Sequence, residues 1–199
     1  LRKHPHIFIL SDEIYEYINF TNERVTSIAE IDSLYERTIT VNGMSKAFAM
    51  TGWRIGYMGA TEWIAKACAK VQGQVTSGAN AIAQRASIAA LKAPKSKIQY
   101  MVDEFKRRRD LVLQLLNEIE GFKLNIPEGA FYVFPDISSF FGKTLRGRII
   151  NNASDFSLYL LEEAMVATVT GEAFGDANCI RFSYAASEKD LREAIRRIK

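Results

Sequence analysis

Residues 43–57 read GMSKAFAMTGWRIGY and place a single lysine, Lys46, among glycine, serine and alanine neighbours. An arginine, Arg54, follows eight positions later inside the glycine frame GWRIG. β-Rich segments at 37–43 and 54–60 lie on either side of the lysine, which therefore follows one predicted strand and precedes another. In open α/β sheets, ligands bind beyond the carboxyl ends of the strands, so this position indicates a binding site.

The composition is that of an ordinary globular protein: 48% of the 199 residues are apolar, 25% are charged, and the net charge is +3. This small charge argues against a nucleic-acid-binding or membrane-binding protein, in which charge is usually concentrated in a patch or a tail. The densest basic run, 106–109, lies in a helical pattern beside acidic residues, and a solvated helix face is its simplest interpretation. An anion site there remains the alternative.

Cysteine and histidine usage gives no sign of a disulfide framework or a metal site. Cys68 and Cys179 lie far apart in apolar patterns, which predicts two core residues. Both histidines, His4 and His6, lie near the start of the chain. The first ten residues include only four consecutive apolar positions, too few for a signal peptide, and no segment reaches membrane-spanning length. We therefore expect a cytoplasmic protein without a resident metal.

Hydrophobic periodicity predicts an α/β body followed by a smaller α+β unit. The apolar run 7–10 is typical of a strand buried on both faces, and with the two β-rich segments it predicts a mostly parallel sheet. We expect a first domain over 1–97 and a second over 98–199, joined by a long helix at about 95–120. The segment 138–153 is the most loop-like. The predicted helices lie at about 61–73, 79–92, 95–120, 154–165 and 187–198.

Polar side chains occur where the predicted strands begin or end. Asp12 follows the first strand, Lys46 the second, and Arg54 begins the third. Each alone has an ordinary explanation, as a turn cap, a surface lysine or a surface charge. Together, a carboxylate, an amine and a guanidinium fit pyridoxal phosphate, which needs a Schiff-base lysine, an acidic partner for its ring nitrogen, and phosphate ligands. Small neighbours of Lys46 would admit the flat ring, and the glycines around Arg54 would help it to hold the phosphate.

Six motifs make this chain resemble the class I and II aminotransferases, which are fold-type I pyridoxal-phosphate enzymes, with the aspartate aminotransferase branch as the nearest likeness. The resemblance runs from about residue 7 to the end. The motifs are SDEIYE (11–16), VNGMSKAFAMTGWRIGY (41–57), SGANAIAQRA (77–86), PEGAFYVFPD (127–136), GEAFG (171–175) and CIRFSYAAS (179–187).

The resemblance implies a role for each residue of the cofactor site. Lys46 would form the Schiff base with the cofactor and later move protons. Asp12 would keep the ring nitrogen protonated, and Tyr15 would hydrogen-bond the 3-oxygen of the ring. Ser45 and Arg54 would bind the phosphate.

The resemblance also implies that Arg181, in the smaller unit, binds the α-carboxylate of the substrate. A lone arginine between apolar neighbours in a strand needs a partner, because an unpaired buried charge is costly. The implied activity moves an amino group between an amino acid, aspartate or a similar one, and a 2-oxo acid. It would follow a ping-pong Schiff-base mechanism in a homodimer.

Members of this family are much longer than 199 residues, and the likeness corresponds to their C-terminal part. We therefore expect these residues alone to lack part of the site and to be inactive. Thr170 stands where the family often has proline, and we expect little effect. Three alternatives remain open. One is another fold-type I enzyme, a carbon–sulfur lyase or an aminocyclopropane-carboxylate synthase. The others are the aminotransferase-like sensor domain of a transcription regulator and a non-functional fragment.

Overall fold

The computed structural model describes residues 1–21 and 23–199, which form two units, Leu1–Val102 and Asp103–Lys199. The sequence places the division five residues earlier, between residues 97 and 98. The helix Ser96–Asn117 runs through both positions. The assignment of these units to two domains of a longer protein stays a prediction.

The first unit contains a three-stranded sheet formed by β1 (Ile9–Asp12), β2 (Thr38–Gly43) and β3 (Gly56–Gly59), in that order. β1 and β2 are parallel, whereas β2 and β3 are antiparallel. The sheet of this chain is therefore mixed rather than mostly parallel. The reason is the connection 44–55, which holds only turns and a 3-10 helix. It lacks the α-helix that usually forms a parallel crossover.

Three helices that begin in the first unit, at Glu62, Ala81 and Ser96, lie close to their predicted positions, whereas the short helix α1 was not predicted. α1 is a single turn, and α3 begins after Asn80, whose side chain accepts hydrogen bonds from the backbone N–H groups of Ile82 and Ala83. The bounds are α1 (Asp32–Tyr35), α2 (Glu62–Val75), α3 (Ala81–Lys92) and the start of α4 (Ser96–Asn117).

α2 and α3 expose much of their apolar surface. Trp63, Val75 and Ile82 are exposed. Cys68 of α2 is exposed as well, so its prediction as a core residue is wrong, whereas Cys179 is buried as predicted. The apolar residues of α2 do recur at helical spacing, but many of their side chains remain exposed in this chain.

The second unit combines the larger part of α4 with a small antiparallel sheet, a hairpin and two further helices. The sheet order is β4-β8-β7, and β5 pairs with β6. Residues 122–127 form no strand and contribute an isolated bridge between Lys123 and Asp136. The bounds are β4 (Tyr132–Val133), β5 (Thr144–Leu145), β6 (Arg148–Ile149), α5 (Ala153–Ala164), β7 (Val169–Thr170), β8 (Ile180–Ser183) and α6 (Glu188–Ile198).

The segment 138–153 is more ordered than its sequence suggests. It holds a 3-10 helix and the β5–β6 hairpin, and Ile150 and Ala153 are completely buried. The Phe140 ring stacks on Phe156 of α5 at 4.7 Å between centroids. The segment is therefore part of the core of the second unit, and it places α5 against the sheet.

No helix among residues 1–21 and 23–199 is both long enough and apolar enough to cross a membrane.

Candidate active site

The carboxyl ends of β1 and β2 and the start of β3 lie at one edge of the first unit's sheet. Asp12, the last residue of β1, pairs in register with Val41 near the end of β2. Gly43, the last residue of β2, pairs with Gly56, the first residue of β3. Groups that follow β1 and β2 or precede β3 therefore share this edge.

The residues predicted to bind the cofactor are gathered here. Ser45, Lys46 and Arg54 belong to the connection 44–55, which leaves the sheet at the end of β2 and returns at the start of β3. Tyr15 lies in the turn after β1. The strand-end positions inferred from the sequence thus correspond to one region of the fold.

Lys46 is half-buried and lies in a turn that is held in place by buried neighbouring residues. Met44 and Ala47, on either side, are 1% and 3% exposed. The Ala49 N–H donates to the Lys46 carbonyl at 3.2 Å, and the Met50 N–H donates to the Met44 carbonyl at 3.3 Å. The turn therefore fixes the backbone from which the Lys46 amine extends.

The structure brings Lys46 and Tyr15 together. The Lys46 Nζ lies 5.9 Å from the centroid of the Tyr15 ring, within the range of a cation–π contact. Nearby, burial raises the pKa of Tyr17 and Tyr57, and the Glu16 carboxylate raises both further. These two phenols therefore stay neutral at physiological pH.

Asp12 and Arg54 each bond within their own turns. The Asp12 carboxylate is exposed and accepts a hydrogen bond from the Ile14 N–H at 3.2 Å, the turn-capping role that was its ordinary explanation. One Arg54 Nη1–H donates to the Thr51 carbonyl at 2.9 Å. Both groups keep donor or acceptor capacity for a ligand, because a carboxylate accepts several hydrogen bonds and a guanidinium donates five.

Arg54 has a strained backbone. Its φ of 52° and ψ of 51° place it in the left-handed region, where it ends the 3-10 helix Thr51–Trp53. A non-glycine residue there costs about 1–3 kcal/mol, and such residues are concentrated at functional sites. No feature of the amino-acid sequence indicates this strain.

The glycines of the motif have a packing reason that the sequence analysis missed. A Cβ at Gly43 would lie 3.2 Å from both the Gly56 Cα and the Ile55 carbonyl oxygen, and one at Gly56 would lie 3.0 Å from the Asn42 carbonyl oxygen. These glycines therefore allow β2 and β3 to approach closely. The interpretation that the glycines around Arg54 help it to hold a phosphate stays a prediction.

Arg181 lies in β8 of the second unit and is half-buried. Its Cζ lies 4.4 Å from the centroid of the Tyr132 ring and 4.2 Å from that of Phe174. The partner expected for the Arg181 side chain is thus a pair of aromatic rings. Tyr132 and Phe174 were in motifs singled out from the sequence, but no role was assigned to them.

The donor set suits pyridoxal phosphate. One sheet edge offers an amine, a carboxylate, a phenol, a hydroxyl and a guanidinium, the groups that this cofactor's aldehyde, ring nitrogen, 3-oxygen and phosphate require. By contrast, the described part of the chain contains no cluster of three or more histidine, cysteine, aspartate or glutamate side chains that could hold a metal ion.

A family model described as aminotransferase class I and II matches residues 1–198. The chain belongs to this family. Its members are pyridoxal-phosphate enzymes, and the mixed α/β structure is part of their fold-type I large domain together with further C-terminal structure.

The chain is similar in sequence to proteins named aspartate aminotransferase. It is 47% identical to the one from Pinus pinaster, with 99% of this chain and 41% of that protein covered. It is 48% identical to the aspartate aminotransferase of Rhizobium meliloti strain 1021, with 100% and 49% covered. A bifunctional aspartate and glutamate/aspartate-prephenate aminotransferase from Petunia hybrida is 48% identical, with 99% and 42% covered.

Solved structures of aminotransferases have the same fold. The crystal structure of aspartate aminotransferase from Rhizobium meliloti matches with a TM-score of 0.94 at 46% identity, covering 99% of this chain and 50% of that one. An aromatic aminotransferase from Pyrococcus horikoshii matches with a TM-score of 0.86 at 40% identity, covering 96% and 50%. The chain spans half or less of the length of these relatives.

Proposed function

We propose that the protein containing this chain is a pyridoxal-phosphate-dependent aminotransferase that moves an amino group between an amino acid, aspartate or a similar one, and a 2-oxo acid. The observation that carries the proposal is the placement of Lys46 beside Tyr15, at the sheet edge that Asp12 and Arg54 also occupy. The family membership and the names of the relatives support it. A ping-pong mechanism and a homodimeric, cytoplasmic enzyme are part of the same proposal.

Pyridoxal phosphate, when bound, supplies an aldehyde carbon that exchanges amines and a ring that takes up the electron pair left when a proton leaves the substrate Cα. Lys46 would hold this group through its amine and, once displaced by the substrate amine, would remove the proton from the substrate Cα and return it. The rigid turn around Lys46 limits the positions that its Nζ can reach.

The remaining residues would bind and orient. The Asp12 carboxylate would hold a proton at the ring nitrogen, and the Tyr15 hydroxyl would donate to the 3-oxygen. Ser45 and Arg54 would bind the phosphate, since a guanidinium fork matches its oxygens. Arg181 of the second unit would bind the substrate carboxylate in the same way.

A reduction trap on the intact protein tests the cofactor lysine. Pyridoxal phosphate is added, the imine is reduced with borohydride, and the labelled peptide is identified by mass spectrometry. We expect one label on Lys46, absent from Lys46→Ala and retained in Lys66→Ala, which removes an exposed lysine paired with Glu62 on α2. Labels spread over surface lysines and unchanged in Lys46→Ala would refute the assignment.

A half-reaction assay separates a transferase from a lyase. With aspartate alone, a transferase releases about one equivalent of oxo acid per bound cofactor and stops until a second oxo acid is added. Parallel double-reciprocal plots would then support ping-pong kinetics. Continuous release of oxo acid and ammonia without a second oxo acid would contradict the transferase and favour a lyase.

A further inference from the structure

Two motifs without an assigned role converge on one side chain. GEAFG (171–175) supplies Phe174, and PEGAFYVFPD (127–136) supplies Tyr132. The guanidinium of Arg181 lies over both rings, with its Cζ 4.2 Å from the Phe174 centroid and 4.4 Å from the Tyr132 centroid. Both distances are well inside the 6 Å that defines a cation–π contact.

We propose that Phe174 and Tyr132 are positioning residues that hold the Arg181 guanidinium by stacking, so that its N–H edge is presented to the substrate carboxylate. This inference rests on the proposed function, because it takes Arg181 as the carboxylate ligand. It adds the reason why this arginine can bind a carboxylate in a defined plane.

A tight turn delivers Phe174 to this place. The Gly171 N–H donates to the Cys179 carbonyl at 2.7 Å, and the Asp176 N–H donates back to the Gly171 carbonyl at 3.1 Å. A Cβ at Gly171 would lie 2.1 Å from the Asp176 carbonyl oxygen and 2.4 Å from that of Cys179, so no other residue fits. The turn ends at Gly175, whose φ is +87°, and it leaves Phe174 over β8.

The pairing of β4 with β8 places Tyr132 beside Arg181. Tyr132 is opposite Ser183 in the antiparallel β4–β8 pair, and Arg181 is two residues from Ser183 along the same strand. Tyr132 and Arg181 are therefore diagonal neighbours on one face of the sheet, a spacing within reach of aromatic and long side chains. Backbone geometry, rather than a mobile loop, thus sets this second ring contact.

The edge of the guanidinium is left for a ligand. Among the described residues, the Arg181 side chain makes no hydrogen bond and no ion pair, and none of its nitrogen atoms is sealed from solvent. A guanidinium donates its five hydrogen bonds in its own plane, so an aromatic ring that stacks on its face does not compete with them. A planar group held in one orientation loses less entropy when it binds a carboxylate bidentately.

Phe174 itself is poorly explained as a core residue. It is 46% exposed, although it is a large apolar side chain. Its other ring contact is an edge-on approach to Phe134 at 6.0 Å. Because the ring is half-exposed, its replacement should leave the fold intact, and this makes it the better of the two rings to test.

The test uses Phe174→Leu, Phe174→Tyr and a control, Tyr100→Leu, in the intact protein. Tyr100 is an exposed ring on α4 that has no part in the site. We measure KM and kcat for aspartate and its oxo-acid partner, and the Kd of succinate, a dicarboxylate without an amine, by calorimetry. For Phe174→Leu we expect KM and the succinate Kd to rise roughly tenfold and kcat to change less than about twofold. Phe174→Tyr and Tyr100→Leu should stay within about twofold of the parent for all three quantities.

A double-mutant cycle with Arg181→Lys provides the decisive comparison. If Phe174 acts through the guanidinium, Phe174→Leu should change KM by less than about twofold when lysine already replaces Arg181. An unchanged succinate Kd in Phe174→Leu, or an equal effect in both backgrounds, would overturn the inference. A parent protein that binds no succinate would overturn it together with the role of Arg181. The reduction trap on Lys46 would then show separately whether the proposed function survives.

Discussion

The Nζ of Lys46 lies 5.9 Å from the centroid of the Tyr15 ring, although the two residues are 31 positions apart in the chain. The parallel pairing of β1 and β2 creates this proximity, because it brings the turns that follow the two strands to one edge. A residue with an amine and a residue with a phenol are thereby placed at the same edge of the sheet. The relationship depends on strand pairing and not on any local motif.

Tyr15→Phe tests whether the phenol acts on the cofactor. The change keeps the ring beside Lys46 and removes only the hydroxyl. We expect kcat/KM for aspartate to fall roughly tenfold, since one hydrogen bond to a charged group is worth about 1.5–3 kcal/mol. Tyr17→Phe is the matched control, because its phenol lies nearby and its ring packs on Phe48. Equal losses in the two variants would argue against a specific role for Tyr15.

Arg54→Gly separates backbone strain from cofactor binding. Glycine adopts a φ of 52° without strain. Without cofactor, the variant should therefore have a free energy of unfolding that equals that of the parent or exceeds it by up to about 1 kcal/mol. The Kd of pyridoxal phosphate should rise at least tenfold, because charge-assisted hydrogen bonds to phosphate are lost. The affinity of Arg54→Lys for pyridoxal phosphate should lie between those of the parent and of Arg54→Gly. Denaturant unfolding and fluorescence titration measure the two quantities, and an unchanged Kd would remove Arg54 from the phosphate site.

Strand-end reasoning predicted the position of Asp12, Lys46 and Arg54 because it needs only strand boundaries, and the boundaries were predicted to within about two residues. Arg181 was identified separately, from the family resemblance and from the cost of an unpaired charge between apolar neighbours. What strand-end reasoning missed requires tertiary information. Tyr132 is distant from Arg181 in sequence, Phe174 lies across a turn from it, and nothing local shows that these two rings will contact one guanidinium.

The errors have the same origin. The glycines of the lysine motif looked like space for a ligand, but Gly43 and Gly56 face each other across β2 and β3, a pairing that only the sheet reveals. The segment 138–153 looked like a loop because its strands are two residues long. Its buried Ile150 could have indicated a core segment, but Ile149 and Ile150 form an apolar run of only two residues, which is too short to show a period.

Thr170→Pro should stabilise the second unit. Thr170 has φ −59° and ψ 141°, which suit proline, and its Oγ1 is buried without a hydrogen-bond partner. Because Gly171 donates to Cys179, the alternation of an antiparallel ladder turns the Thr170 N–H away from β8, so no ladder hydrogen bond is lost.

We expect Thr170→Pro to raise the free energy of unfolding by about 0.4–1 kcal/mol, chiefly by restricting the unfolded chain. Val169→Pro is the matched control. By the same alternation its N–H points towards Arg181 in β8, so this variant should be destabilised. Urea unfolding measures both changes. A loss of stability in Thr170→Pro would mean that its N–H makes a hydrogen bond in the native state.

Asp136 should make the stability of the second unit depend on pH, with stability lost under acidic conditions. Hydrogen bonds from Ser138 hold the pKa of the Asp136 carboxyl below its ordinary value, and Lys123 lowers it further. The backbone N–H of Ser138 donates to this carboxylate at 2.7 Å. Because the folded state favours the charged form, the contribution is present above the ordinary aspartate pKa of about 3.9 and is lost as the pH falls through the lower folded value.

Asp136→Asn removes this titration and keeps an oxygen that can accept from Ser138. We expect the parent to be more stable than the variant at pH 6, and we expect the difference in free energy of unfolding to shrink as the pH falls below about 4. Ser138→Ala should raise the Asp136 pKa and shift the loss of stability to higher pH, because the hydrogen bond from the Ser138 side chain is the largest cause of the lowered pKa. Urea unfolding between pH 6 and pH 2 measures all three proteins. A difference between parent and Asp136→Asn that stays constant over this range would show that the carboxylate is no better stabilised in the folded state than in the unfolded chain.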